Sequence, residues 1–125
     1  MAKARVGIVG CGNISDIYIE NLAQRFGNVE VAAVADLVPE RAAAQAAKHG
    51  IPKSCTVEEL LGDPSIEIVL NLTVPAAHAE VSLAALTAGR HVHTEKPLAV
   101  SLRDGERVLA LARKRGLRVL SLIHI

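Results

Sequence analysis

Strand-like and helix-like segments alternate from one end of the chain to the other, and that alternation limits the fold more than any single motif does. Arg5-Val-Gly-Ile-Val9 is a short β-branched run that stops at the glycine pair Gly10 and Gly12. Ile14, Tyr18, Leu22 and Phe26 then recur every fourth residue, drawing one apolar stripe along a helix, and Gly27 stands where a C-terminal cap belongs. Residues 29–35 are apolar at nearly every position, as a parallel strand is when helices cover both its faces. The spacing predicts a helix over 39–49, opened by Pro39 and closed by Gly50 and Pro52. After a brief edge strand around Ser54-Cys55, Thr56-x-x-Glu59 spells a capping box for a short helix that stops before Asp63-Pro64. A strand over 66–72, a helix over 76–88 ended by Gly89, and a strand over 91–94 follow. A helix capped by Ser101 and running to about Arg115, with Gly116 at its C′ position, leads to a last strand over 117–122.

Strands that alternate with helices through short connections pair in parallel by right-handed crossovers. The expected fold is therefore α/β: a doubly wound parallel sheet of the Rossmann kind, about six strands with helices on both faces, forming one domain over residues 1–125. Such sheets bind ligands at their carboxyl edge.

Composition narrows the partners. Fourteen basic residues against 13 acidic ones, with one Tyr, one Phe and no Trp, supply neither a polycationic face nor stacking aromatics, which argues against nucleic acid. Apolar runs such as Val31 to Ala35 fall far short of the roughly 20 residues a membrane span needs. The N-terminus runs straight into a strand with no signal-peptide core, so a cytoplasmic protein is expected. Cys11 and Cys55 are isolated and read as small buried hydrophobes.

Gly10-Cys-Gly12-Asn13-Ile14-Ser15 follows a strand and opens a helix, the context in which a glycine loop cradles phosphate. Gly10 allows the tight turn, Gly12 lets backbone approach a pyrophosphate, and the amides near Asn13 and Ile14 point at it with the helix dipole behind them. Ser15 replaces the third glycine, and the loop read alone is equally a plain strand-to-helix turn. Asp36, 24 residues after Gly12 at the end of strand two, is where a carboxylate accepts hydrogen bonds from an adenosine ribose and repels a 2′-phosphate. The pair points to NAD, with NADP the less favoured cofactor, and Arg41 one turn further on is either a phosphate ligand or a solvated helix charge.

Two later motifs close strands four and five. Asn71-Leu-Thr73-Val-Pro75 with His78 puts small and polar groups where a nicotinamide would lie: Thr73 offers a hydroxyl, Pro75 stiffens the turn, and His78 either touches cofactor or caps the helix. Glu95-Lys96-Pro97 sets an acid beside an amine at the same edge. A lysine there hydrogen-bonds a reacting alcohol or carbonyl oxygen and stabilises the charge that develops in hydride transfer; the alternative is a surface ion pair. His91 and His93 alternate on one strand face without a third ligand, so no metal site is expected and both read as structural. A nucleotide-dependent methyltransferase would also use the loop and the acid, but has no use for the lysine motif.

Taken in order, Val6-Gly-Ile-Val-Gly-Cys-Gly-Asn-Ile14, Ala35-Asp36, Thr73-Val-Pro75 with His78, and Thr94-Glu-Lys-Pro-Leu98 resemble the glucose-fructose oxidoreductase, inositol dehydrogenase and MocA family across essentially the whole chain. That resemblance implies an NAD(P)-dependent oxidoreductase acting on a small-molecule sugar, cyclitol or related alcohol. It implies Lys96 as catalytic residue, Glu95 near the nicotinamide, and Thr73, Pro75 and His78 at the cofactor edge. It also implies a second α/β domain, absent here, that completes the pocket and forms a homo-oligomer in the full-length protein, so this half is expected to be inactive alone. A dinucleotide-binding module without catalysis is the alternative. The ending Leu120-Ser-Leu-Ile-His-Ile125 is also the translated end of a transposon sequencing adapter, so native sequence is expected to stop near Val119.

Overall fold

The computed structural model describes residues 4–10, 18–20, 29–73, 75–94 and 102–121. Gly12, Asn13, Ile14, Glu95 and Lys96 lie outside the described residues, as do Cys11, Ser101 and residues 122–125. In chain order the elements are β1 (Ala4–Val9), β2 (Val29–Ala35), α1 (Pro39–His49), β3 (Ser54–Cys55), α2 (Val57–Leu61), β4 (Ile68–Asn71), α3 (Pro75–Thr87), β5 (His91–Thr94), α4 (Leu102–Arg115) and β6 (Val119–Ser121). Tyr18–Glu20 are helical, with Ile19 the buried member of the three, one position off the fourfold stripe.

All described strand pairs are parallel, in the order β3-β2-β1-β4-β5-β6. The doubly wound expectation is met, and two strands are shorter than their apolar runs. β4 begins at Ile68 because the Ile66 N–H closes a turn on the Asp63 carbonyl at 3.2 Å. β6 begins at Val119 because the Leu117 and Gly116 N–H groups reach back to Ala112 and Arg113, ending α4 in a Schellman motif around a left-handed Gly116. The capping box forms as spelled: the Thr56 hydroxyl accepts from Glu59 N–H while Glu59 Oε1 accepts from Thr56 N–H.

Two apolar clusters flank the sheet. Val6, Ile8, Val34, Leu70 and Leu72 face Ile19, Ala42 and Ile51 on one side. Val9, Ala33, Ala35, Val69 and Val92 face Leu60, Leu86, Val108 and Ala112 on the other. The parity of β2 changes midway: Val6 pairs with Val31, yet Gly7 pairs with Ala33. Ala32 is the extra residue of a bulge, which lets Val31 and Val34 share a face despite their odd separation. Opposite the bulge, a Cβ on Gly7 would lie 2.7 Å from Leu60 Cδ2 and 3.0 Å from Ile66 Cδ1, so this glycine admits α2 against the sheet.

Candidate functional site

The strand order reverses between β1 and β4: the chain leaves β1 toward β2 and leaves β4 toward β5, on opposite sides. The two departures open a crevice at the carboxyl ends of these strands. Gly10 lies at its floor. Its N–H donates to the Ala35 carbonyl at 2.8 Å, and the Leu72 N–H donates to the Val9 carbonyl at 2.8 Å, so three strand ends are stitched together around it. Its φ is +102°, and a Cβ would lie 2.7 Å from the carbonyl atoms of Leu72 and 2.9 Å from Thr73 N. Gly10 thus holds a positive-φ conformation that favours glycine, while its amide is committed to the protein.

Asp36 follows β2 at the same edge and is half-buried. Its Oδ1 accepts the Val38 N–H at 2.9 Å, an Asx turn that sets the carboxylate's direction before α1 begins at Pro39. Arg41 is exposed on α1. A cleft of about 190 Å³ runs beside Asp36, lined by Pro39, Ala42, Ser54, Cys55 and Thr56. The Cys55 thiol is half-buried with Sγ 3.8 Å from the Val34 carbonyl, and burial pushes its pKa up, so it packs as a neutral thiol.

Thr73 stands just past β4, and its surroundings hold residues to which the sequence reading gave no role of their own. Asn71, wholly buried, donates from Nδ2 to Ser82 Oγ of α3 at 3.0 Å. Its Oδ1 accepts both the Thr73 N–H, at 3.3 Å, and the Thr73 hydroxyl, at 2.6 Å. The signal was a lone carboxamide inside the apolar run 68–72; the burial of Ser82 against it follows only from the packing of α3. Across the ladder Asn71 pairs with Thr94, also fully buried, the last residue before Glu95 and Lys96. Pro75 opens α3 and His78 lies in its first turn; their side chains are outside the described residues.

The two strand histidines make structural contacts. His91 Nδ1 accepts the Arg118 N–H at 3.1 Å. His93 meets Tyr18 edge-on with ring centroids 6.3 Å apart; its Nε2 is buried with no hydrogen-bond partner among the described residues, and burial pushes its pKa down. Among the described residues no group of three His, Cys, Asp or Glu is placed to hold a metal ion, and no helix is long and apolar enough to cross a membrane.

Gly10, Asp36 and Thr73 are therefore contiguous at one sheet edge, linked through the Ala35 and Leu72 backbone. The GFO_IDH_MocA model, described as an oxidoreductase family with an NAD-binding Rossmann fold, matches residues 4–123. The chain belongs to this family. It is similar to the inositol 2-dehydrogenase of Salmonella typhimurium, 38% identical over 120 residues that cover 94% of this chain and 36% of the relative. It is similar to the 1,5-anhydro-D-fructose reductase of Ensifer adhaerens, 40% identical over 113 residues, covering 90% and 34%. Among solved structures, the WlbA dehydrogenase of Bordetella pertussis, in complex with NADH and UDP-GlcNAcA, superposes with a TM-score of 0.91 at 30% identity, covering 97% of this chain and 35% of that one. The chain spans about a third of the length of the curated relatives it matches. It is an NAD-binding Rossmann domain of the oxidoreductase kind.

Proposed function

We propose that this domain binds NAD in preference to NADP across the β1/β4 crevice, and that the whole protein transfers hydride between the nicotinamide and a sugar, cyclitol or related alcohol. The observation that carries the reading is the convergence of Gly10, the half-buried Asp36 carboxylate and Thr73 on one carboxyl edge where the strand order reverses. Two features support a dinucleotide: Gly10 packs so closely on Leu72 and Thr73 that no side chain fits at its own position, and the Asp36 carboxylate is oriented by the Val38 N–H.

In this reading the backbone at Gly12, Asn13 and Ile14 receives the pyrophosphate and Asp36 the adenosine ribose. Thr73, Pro75, His78 and Glu95 border the nicotinamide half. Lys96 hydrogen-bonds the reacting oxygen and stabilises its developing charge as hydride moves. The polyhydroxylated substrates named for the inositol dehydrogenase and the anhydrofructose reductase support a ring bearing several hydroxyls. The same reading has the full-length protein act as a homo-oligomer in the cytoplasm.

NADH and NADPH titrations of the chain, followed by nicotinamide fluorescence, test the cofactor half. NADH is expected to bind tighter, and Asp36→Ala is expected to weaken NADH about tenfold while leaving NADPH within about twofold. Equal losses for both cofactors would remove Asp36 from the ribose. In the full-length protein, Lys96→Ala is expected to lower kcat by about a hundredfold or more with NADH affinity unchanged.

A further inference from the structure

The buried carboxamide beneath Thr73 decides what kind of hydrogen bond Thr73 offers to a ligand. A backbone N–H only donates, so the Asn71 atom facing Thr73 N is the oxygen, and Nδ2 faces Ser82. Thr73 Oγ1 lies 2.6 Å from that same oxygen, which carries no proton, so the Thr73 hydroxyl must donate to it. Its proton is committed, and what remains on Oγ1 is acceptor capacity at a half-exposed position above Gly10. The other residues of this strand end, Val69, Leu70 and Leu72, are buried and apolar, and a carboxamide among them is a costly choice unless its polar atoms are used.

We propose that Asn71, anchored to α3 through Ser82, is a positioning residue that turns Thr73 into a fixed hydrogen-bond acceptor for a donor group of the bound dinucleotide. The donors available on that half of the cofactor are the nicotinamide carboxamide N–H and the ribose hydroxyls, and a hydroxyl free to rotate would not discriminate among them. This rests on the dinucleotide reading above. Pinning the hydroxyl also ties the crevice wall to the packing of α3, because Asn71 joins Ser82 and Thr73 through one rigid amide plane.

The test is NADH titration of the wild-type chain, Asn71→Leu, Thr73→Val, the double variant and Thr73→Ser, with thermal unfolding recorded for each. Each of the first two single variants is expected to raise the NADH Kd about three- to tenfold, the equivalent of one hydrogen bond. The double variant is expected to be no weaker than the weaker single, because both remove the same oriented acceptor. Thr73→Ser, which keeps the hydroxyl, is expected to stay within about twofold of wild type. Additive losses in the double variant, or a lower unfolding temperature for Asn71→Leu with NADH Kd unchanged, would overturn the proposal and leave Asn71 a packing residue. If Asn71→Leu does not fold, Asn71→Asp replaces it: the carboxylate still takes the Thr73 proton, so a Kd within about twofold of wild type is expected, and a loss as large as that of Thr73→Val overturns it. A wild-type chain that binds no NADH overturns the cofactor reading itself, and that outcome is seen before any variant is made.

Discussion

The two edges of the sheet spend polar groups in opposite ways. At the amino edge, Arg5 pairs with Glu30 at 2.8 Å, reaches Ser65 Oγ with Nε at 3.1 Å, and donates its backbone N–H to Glu67 Oε2 at 2.9 Å. These groups are in water: the Arg5 and Glu30 side chains are 39% and 43% exposed. At the carboxyl edge, Asn71, Ser82 and Thr94 are 0% exposed, and Gly10 is wedged against the Leu72 carbonyl. The amino edge ties β1, β2 and the start of β4 together with interactions that solvent and salt can replace. The carboxyl edge buries its polar atoms, where each lost partner is felt in full. Strict geometry is concentrated at the end of the sheet where a ligand would sit.

The widest gap between the edges is expected from Gly10→Ala, which puts a methyl group into the Leu72 backbone and a side chain at φ +102°. A loss of about 3 kcal/mol or more in urea unfolding is expected, or no folded protein. Ser82→Ala, which removes one hydrogen-bond acceptor from the buried Asn71 Nδ2, is expected to cost about 1 kcal/mol. A loss near zero would mean that the carboxyl edge tolerates broken polar pairs as readily as the amino edge does.

Next in size comes a pH effect at His93, the penultimate residue of β5 and three positions before Lys96. Burial holds its pKa below the ordinary 6.5. The folded state therefore binds its proton less readily than the unfolded chain. The stability it contributes is fully present above 6.5 and is lost as pH falls toward the depressed folded value. Urea midpoints measured downward from about pH 8 are expected to fall through that window, and His93→Gln is expected to flatten the decline; an unchanged slope would remove His93 as its source. The smallest effect is expected from Glu30→Gln at the amino edge, below about 1 kcal/mol and vanishing at high salt. If it equals Ser82→Ala, the contrast between the edges collapses.

Much of the fold was legible before any coordinates. The helix over 39–49, the capping box at Thr56 and Glu59, the left-handed caps at Gly50, Gly89 and Gly116, and the edge strand at Ser54-Cys55 all occur where local chemistry puts them. These features depend on contacts within a few residues, and such contacts are written directly in the chain. The β2 bulge was not legible, because a run that is apolar on both faces carries no alternation to reveal a change of parity. The Gly7 approach to Leu60 escaped for a related reason: only the seating of α2 on the sheet makes that glycine necessary.

The candidate site divides along the same line. Gly10, Asp36 and Thr73 were readable as candidates because each ends a strand, and a doubly wound sheet sends strand ends to one edge. That Gly10 gives its amide to Ala35, that Asp36 is set by Val38, and that Thr73 offers an acceptor were decided only when β1, β2, β4 and α3 packed together. Sequence by itself determined which elements form, in what order, and which polar residues reach the ligand edge, because propensity, capping and hydrophobic period are local. Tertiary structure alone decided which atoms of those residues remain to meet a ligand, because a hydrogen bond's direction depends on partners distant in sequence, as Ser82 is from Asn71.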